Sequence, residues 1–120
     1  GPRTMGLAAR HADVWSAIAT ESSLPDWFEP MVGRLEEACA DVDRDPQTLG
    51  RSVGVFVDLS DADGTQAAGL GVPISGSPSE IAERISRFAD IGVTRVELML
   101  WPNTEESLDA VAPAMELLRG

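Results

Sequence analysis

Apolar residues recur along the chain in two alternating rhythms, one helical and one extended. Thr4 to His11 carries Met5, Leu7, Ala8 and Ala9, which predicts a short helix with one apolar side, capped by Thr4. Ala12 to Ala17 predicts a short buried strand after a sharp stop. The residues that follow are irregular, and Pro25 and Pro30 limit where a helix can begin. From Pro30 onward, Met31, Leu35, Ala38, Cys39 and Val42 fall on one helical face, with Glu36, Glu37 and Asp41 off it. Cys39 is therefore expected in the core as a small buried hydrophobe rather than as a catalytic thiol.

Asp45-Pro46 reads as a cap followed by proline at the first helical position, opening one short turn. Arg51 to Leu59 predicts a strand, with Val53, Val55, Val57 and Leu59 alternating against Ser52, Gly54, Phe56 and Asp58. Ser60 to Gly76 is rich in Gly, Asp and Ser and predicts a long loop. Ser77-Pro78-Ser79-Glu80 is a capping-box helix start, followed by Ile81, Ile85 and Phe88 on one face and Gly92 as a left-handed stop. Thr94 to Trp101 predicts a strand with Val96, Leu98 and Leu100 on one side and Arg95, Glu97, Met99 and Trp101 on the other. Asn103 or Thr104 then caps a last helix with Leu108, Val111, Met115 and Leu118 as its apolar stripe.

Helices and strands alternating in this way predict an α/β fold: a parallel sheet of about three strands, four to five helices and right-handed crossovers. With 120 residues there is room for one domain at most, of a size that can fold alone. Three parallel strands leave two open edges, which invite association.

Composition narrows the functions. A net charge of -11 repels phosphate-rich partners, so neither nucleic acid nor membrane is expected as a partner. All nine basic residues are arginine, so the chain offers no lysine for Schiff-base or general-base chemistry. A single cysteine permits no intrachain disulfide, which suits a reducing cytoplasm. No signal peptide is visible, and no apolar run approaches a membrane span.

One Cys and one His suggest no metal site, and no Gly-x-Ser-x-Gly elbow is present. Gly69-Leu70-Gly71 has no strand directly before it and reads as loop punctuation. His11 ends the first helix, where the dipole favours its charged form; that structural role or simple exposure outweighs base chemistry. Arg95 and Glu97 share the strand face opposite the aliphatic one. They read as a structural ion pair or exposed charges, or else as part of a polar barrel interior near a ligand. Gly1-Pro2-Arg3-Thr4, just before a helix, reads either as a phosphate-binding helix start or as a protease scar left from a tag.

Four stretches together resemble the luciferase-like monooxygenase family, the bacterial-luciferase superfamily of barrel oxidoreductases. Gly1 to Trp15 (GPRTMGLAARHADVW) looks like its Gly-x-Arg-x-Leu-x-Leu-Ala-Ala-Arg-x-Ala-Asp-x-Trp element. Asp43-Arg44-Asp45-Pro46 looks like its Gly-Arg-Asp-Pro turn, with Asp43 in the glycine place. Gly76 to Ile81 looks like its Gly-x-Pro-Glu-Glu helix start, and Gly92 to Leu98 supplies the fourth stretch. Their order and spacing run across nearly the whole chain. The likeness is greatest to actinobacterial members, many of which use the deazaflavin F420 in place of FMN.

The resemblance implies a partial (β/α)8 barrel of the TIM type, with residues 1–120 as its C-terminal portion. It implies a fragment of an F420- or FMN-dependent oxidoreductase or monooxygenase acting on a small-molecule substrate, with Gly1 at the end of a strand. Gly1, Pro2, Arg3 and Thr4 would contact the cofactor phosphate, and Trp15 and Ser16 would flank the cofactor. The family's glycine after Ala-Asp is Val14 here. No proton donor or hydride-positioning residue is assigned in this chain. The contrasting expectation is a non-catalytic half-barrel that forms a homo-oligomer through its open sheet edges.

Overall fold

Strand β2 (Gly50–Asp58) is the centre of a three-stranded parallel sheet, between β1 (Val14–Ile18) and β3 (Arg95–Trp101). The structure, a computed structural model, describes residues 2–59 and 71–119, with side chains from residue 5 onward. Helices α1 (Pro2–His11), α2 (Pro25–Asp41), α3 (Pro78–Asp90) and α4 (Glu105–Arg119) alternate with the strands, and a 3₁₀ turn (Pro46–Thr48) precedes β2.

Neighbours in register point to the same side of a sheet. Trp15 stands beside Arg51, Ala17 beside Val53, Val53 beside Val96 and Val55 beside Leu98. One face therefore carries Trp15, Ala17, Val53, Val55, Val57, Val96, Leu98 and Leu100. All the helices pack on that face. Val53, Val55 and Val57 are fully buried under Phe28 and Val32 of α2, Ile81 and Phe88 of α3 and Ala114 of α4. Phe28 and Phe88 meet edge to face at 5.6 Å, which joins α2 to α3. A second cluster seats Met5 and Ala9 of α1 on Trp15, Leu35, Cys39 and Leu49. The sheet's other face carries Val14, Ser16, Ile18, Phe56, Asp58, Arg95, Glu97, Met99 and Trp101, and among the described residues no helix covers it.

Several element limits differ from the sequence reading. Helix α1 begins at Pro2, whose fixed φ suits a first helical position, so Thr4 lies inside the helix and is not its cap. Strand β1 begins at Val14 rather than Ala12, because the Ala12 amide still bonds the Ala8 carbonyl and prolongs the helix end. Helix α2 begins at Pro25, the earlier of the two prolines; Leu24 is extended there and Pro25 takes the first position. Pro30 sits inside the helix near its amino end, and burial of Phe28 and Val32 around it offsets the lost hydrogen bond. Strand β2 runs one residue earlier than expected because the Gly50 amide joins the Asp13 carbonyl, and β3 starts at Arg95. In α4 the buried stripe is Ser107, Val111 and Ala114, and Leu108 faces out at 60% exposure. Thr104 is the cap: its hydroxyl accepts from the Ser107 amide and donates to the Ser107 hydroxyl, which draws Ser107 inward.

The capping box of α3 stands as read: Ser77 Oγ accepts from the Glu80 amide and Glu80 accepts from the Ser77 amide. Helix α3 ends in a Schellman motif. Gly92, at φ 91°, donates to Ala89, and Val93 donates to Phe88. Of the long loop, only its last residues are described; positions 60–70 lie outside the described residues.

Candidate functional site

Parallel strands gather their carboxyl ends at one rim of the sheet. There Ala19 donates to Gly54, Leu59 donates to the Trp101 carbonyl, and Asp58 stands beside Trp101 in register. The end of the long loop laces this rim: Val72 pairs with Ser22, and Ile74 pairs with Val57. Ser23 is fully buried, and its hydroxyl accepts from the Phe56 amide at 2.8 Å. At Gly71 (φ 69°) any Cβ would collide with the Glu21 backbone, so glycine is required for the loop to pass here.

The residues assigned to the cofactor divide between the two sides of the sheet. Gly1 lies outside the described residues, and Pro2, Arg3 and Thr4 are described as backbone only, forming the first turn of α1. That turn has no acidic residue, in a chain with 20 carboxylates. A helix start of that kind fits an anion, since its amides and dipole favour negative charge. Trp15 is buried beneath α1 among Met5, Ala9, Leu35, Cys39 and Leu49. Ser16, one residue on, is exposed on the uncovered face. Side chains alternate along a strand, so these two neighbours point oppositely.

Arg95 and Glu97 also lie on the uncovered face, paired at 3.5 Å with side chains 73% and 60% exposed. At that exposure the pair contributes about 0–1 kcal/mol. Cys39 is buried, as its helical position predicted, and His11 is exposed at the end of α1. Among the described residues, no group of His, Cys, Asp and Glu could hold a metal ion. Among them too, no helix is long and apolar enough to cross a membrane.

Two arginines organise the opposite rim, and nothing in the hydrophobic pattern singled them out. Arg44 Nη1 donates to the carbonyls of Ala8, Ala9 and Ala12, while its Nε and Nη2 bond Thr48 Oγ1 and the Thr48 carbonyl. Arg51 is buried, donating to the carbonyls of Pro46 and Gly92 and facing Glu36 at 3.6 Å. It borders a cleft of about 350 Å³ between α2 and α3. The only signal available in the sequence for either was the Asp43-Arg44-Asp45-Pro46 turn.

No family model and no curated relative matches the chain by sequence. Solved structures share its fold. An F420-dependent secondary alcohol dehydrogenase, solved with an F420–acetone adduct, superposes with a TM-score of 0.71 at 13% identity, over 100% of this chain and 47% of that one. A coenzyme F420-dependent tetrahydromethanopterin reductase from Methanopyrus kandleri gives 0.67 at 17% identity, over 94% of this chain and 46% of that one. A long-chain alkane monooxygenase gives 0.73 at 11% identity, over 99% of this chain and 39% of that one. The chain thus spans less than half the length of each neighbour. It has the α/β fold of part of a TIM-type barrel, and it shares that fold with these three proteins.

Proposed function

We propose that the chain is the C-terminal portion of a luciferase-like barrel oxidoreductase or monooxygenase that uses F420 or FMN and acts on a small-molecule substrate. The observation that carries this is the superposition of the whole three-stranded arc on two F420-dependent enzymes. In this reading the chain contributes the cofactor-phosphate side of the barrel. The segment Gly1-Pro2-Arg3-Thr4, from Pro2 the first turn of α1, holds the phosphate through free backbone amides and the Arg3 charge. Ser16 faces the cofactor from the uncovered face, and Trp15 backs that contact from beneath α1. The bound cofactor supplies the redox chemistry, and these residues bind and orient it. Native mass spectrometry of the chain with F420 and with FMN tests the reading. Uptake of one cofactor per chain is the expected result; a chain that takes up neither, at concentrations well above those that fill such enzymes, rejects it for this chain.

A second reading has its own observation. Leu7 of α1, Val14 and Ile18 of β1, Trp101 of β3, and Leu108 and Leu117 of α4 are exposed. These belong to the first and last strands and helices, at the two margins of the arc. Such margins suit a half-barrel that self-associates through its sheet edges. The same spectra decide this, because a homo-oligomer without cofactor supports it and a monomer at high concentration removes it.

A further inference from the structure

Helix α1 is short, and among its described side chains only Met5 and Ala9 are buried. A ten-residue helix is marginal by itself, so its tilt depends on what grips it. Beside the apolar seat of Met5 and Ala9, one guanidinium grips its carbonyl end. Arg44 Nη1 reaches the carbonyls of Ala8 (3.2 Å), Ala9 (3.3 Å) and Ala12 (2.6 Å), the last turn of α1 and the residue after it. Its Nε reaches Thr48 Oγ1 at 3.1 Å and its Nη2 the Thr48 carbonyl at 3.1 Å. Thr48 is itself fixed, since its hydroxyl donates to the Asp45 carbonyl at 2.7 Å. The Arg44 backbone is tied down as well: its amide donates to the Cys39 carbonyl at the end of α2. A planar group with five donors can serve both sides at once, whereas an ammonium cannot.

We propose that Arg44 is a positioning residue for the amino end of α1. It fastens the carbonyl end of the helix to the turn before β2, and so sets where the first turn of the helix points. The proposal rests on the reading that this first turn holds a phosphate. A ten-residue helix is about 15 Å long, so a tilt of roughly 10° at the gripped end moves its far end by about 2.5 Å. That displacement exceeds what a set of amide hydrogen bonds tolerates.

The test compares Arg44→Met and Arg44→Lys with Ser77→Ala, which removes the α3 cap far from α1 and serves as a destabilised control. Residual dipolar couplings report the α1 axis relative to β2, and inorganic phosphate is titrated against the amide shifts of residues 3–6. Both Arg44 variants are expected to keep α1 helical, tilt its axis and weaken phosphate about tenfold, the scale of one lost charge-assisted contact. Arg44→Lys keeps a cation at the carbonyl end, so it gives the orientation even if Arg44→Met melts the helix. Ser77→Ala is expected to change neither readout. An unmoved axis with unchanged phosphate affinity overturns the positioning role, as does an equal loss in Ser77→Ala. If the unmodified chain binds no phosphate, the phosphate reading fails, and the α1 axis in the Arg44 variants alone decides the positioning role.

Discussion

Asp43 holds φ at 57°, the left-handed region that an L side chain enters at a cost. It does so because α2 ends as α3 does. Asp43 donates to Ala40 and Arg44 to Cys39, the same pair of bonds that Gly92 and Val93 make to Ala89 and Phe88. The family turn that this segment resembles has glycine where Asp43 stands, and the backbone explains why. Asp43→Gly is expected to raise stability by about 0.5–1 kcal/mol, read as a higher urea midpoint at unchanged slope. Gly92→Ala is expected to lower it by about 1–2 kcal/mol, since a Cβ there also meets the Arg51 guanidinium. Equal midpoints for all three proteins would falsify the left-handed assignments. Arg51 illustrates the limit of reading residues singly: it occupies a helix-covered strand position that the alternation of β2 reserves for an aliphatic side chain. Its carbonyl partners, Pro46 in the 3₁₀ turn and Gly92 after α3, are ones that no periodicity reveals.

At the scale of elements, local chemistry did most of the work. The Ser77 capping box is complete, and the Ser77 backbone bond, then its side-chain bond, holds the Glu80 carboxyl below its ordinary 4.5. A carboxyl lowered in the folded state stabilises above its unfolded value and loses that contribution as the pH falls through the folded one. Glu80→Gln should therefore be less stable than the unmodified chain at pH 7. The gap should close below pH 4.5, where the unfolded chain takes up the proton first. Thermal midpoints at several pH values measure this, and a gap that persists unchanged in acid contradicts it. Helices α2 and α4 departed from their patterns for reasons outside their own sequences. Pro30 lies within α2 because Phe28 and Val32 bury against the sheet on either side of it. Ser107 turns inward because Thr104 meets its hydrogen-bonding needs, and Leu108 is displaced to the outside.

At the scale of the molecule, the strands stand unequally. Among the described residues only β2 has hydrogen-bonded neighbouring strands on both sides, and its Val53, Val55 and Val57 carry the centre of the core. Amides of β2 should exchange with solvent more slowly than those of β1 and β3, whose outer edges pair with no strand among the described residues. Exchange of β1 as slow as that of β2 would show that something covers the β1 edge, as self-association at the margins requires. Hydrogen exchange at low and high protein concentration separates the two situations. The uncovered face also explains the Arg95–Glu97 pair: side chains excluded from the helix-covered side have only this face to occupy.

The alternation of strand and helix, the capping box, the left-handed stop at Gly92, the burial of Cys39 and the parallel order were legible in the chain. Each depends on period, propensity or a bond within a few residues. The resemblance set Trp15 and Ser16 together beside the cofactor; the fold turns them to opposite faces, Trp15 under α1 and Ser16 on the uncovered side. The arginine clasp of Arg44 and the buried seat of Arg51 were decided only by tertiary structure. Each has a partner more than thirty residues away, Ala12 for one and Gly92 for the other. A polar side chain reads as surface until folding brings distant carbonyls within its reach, and only the packed chain determines which carbonyls those are.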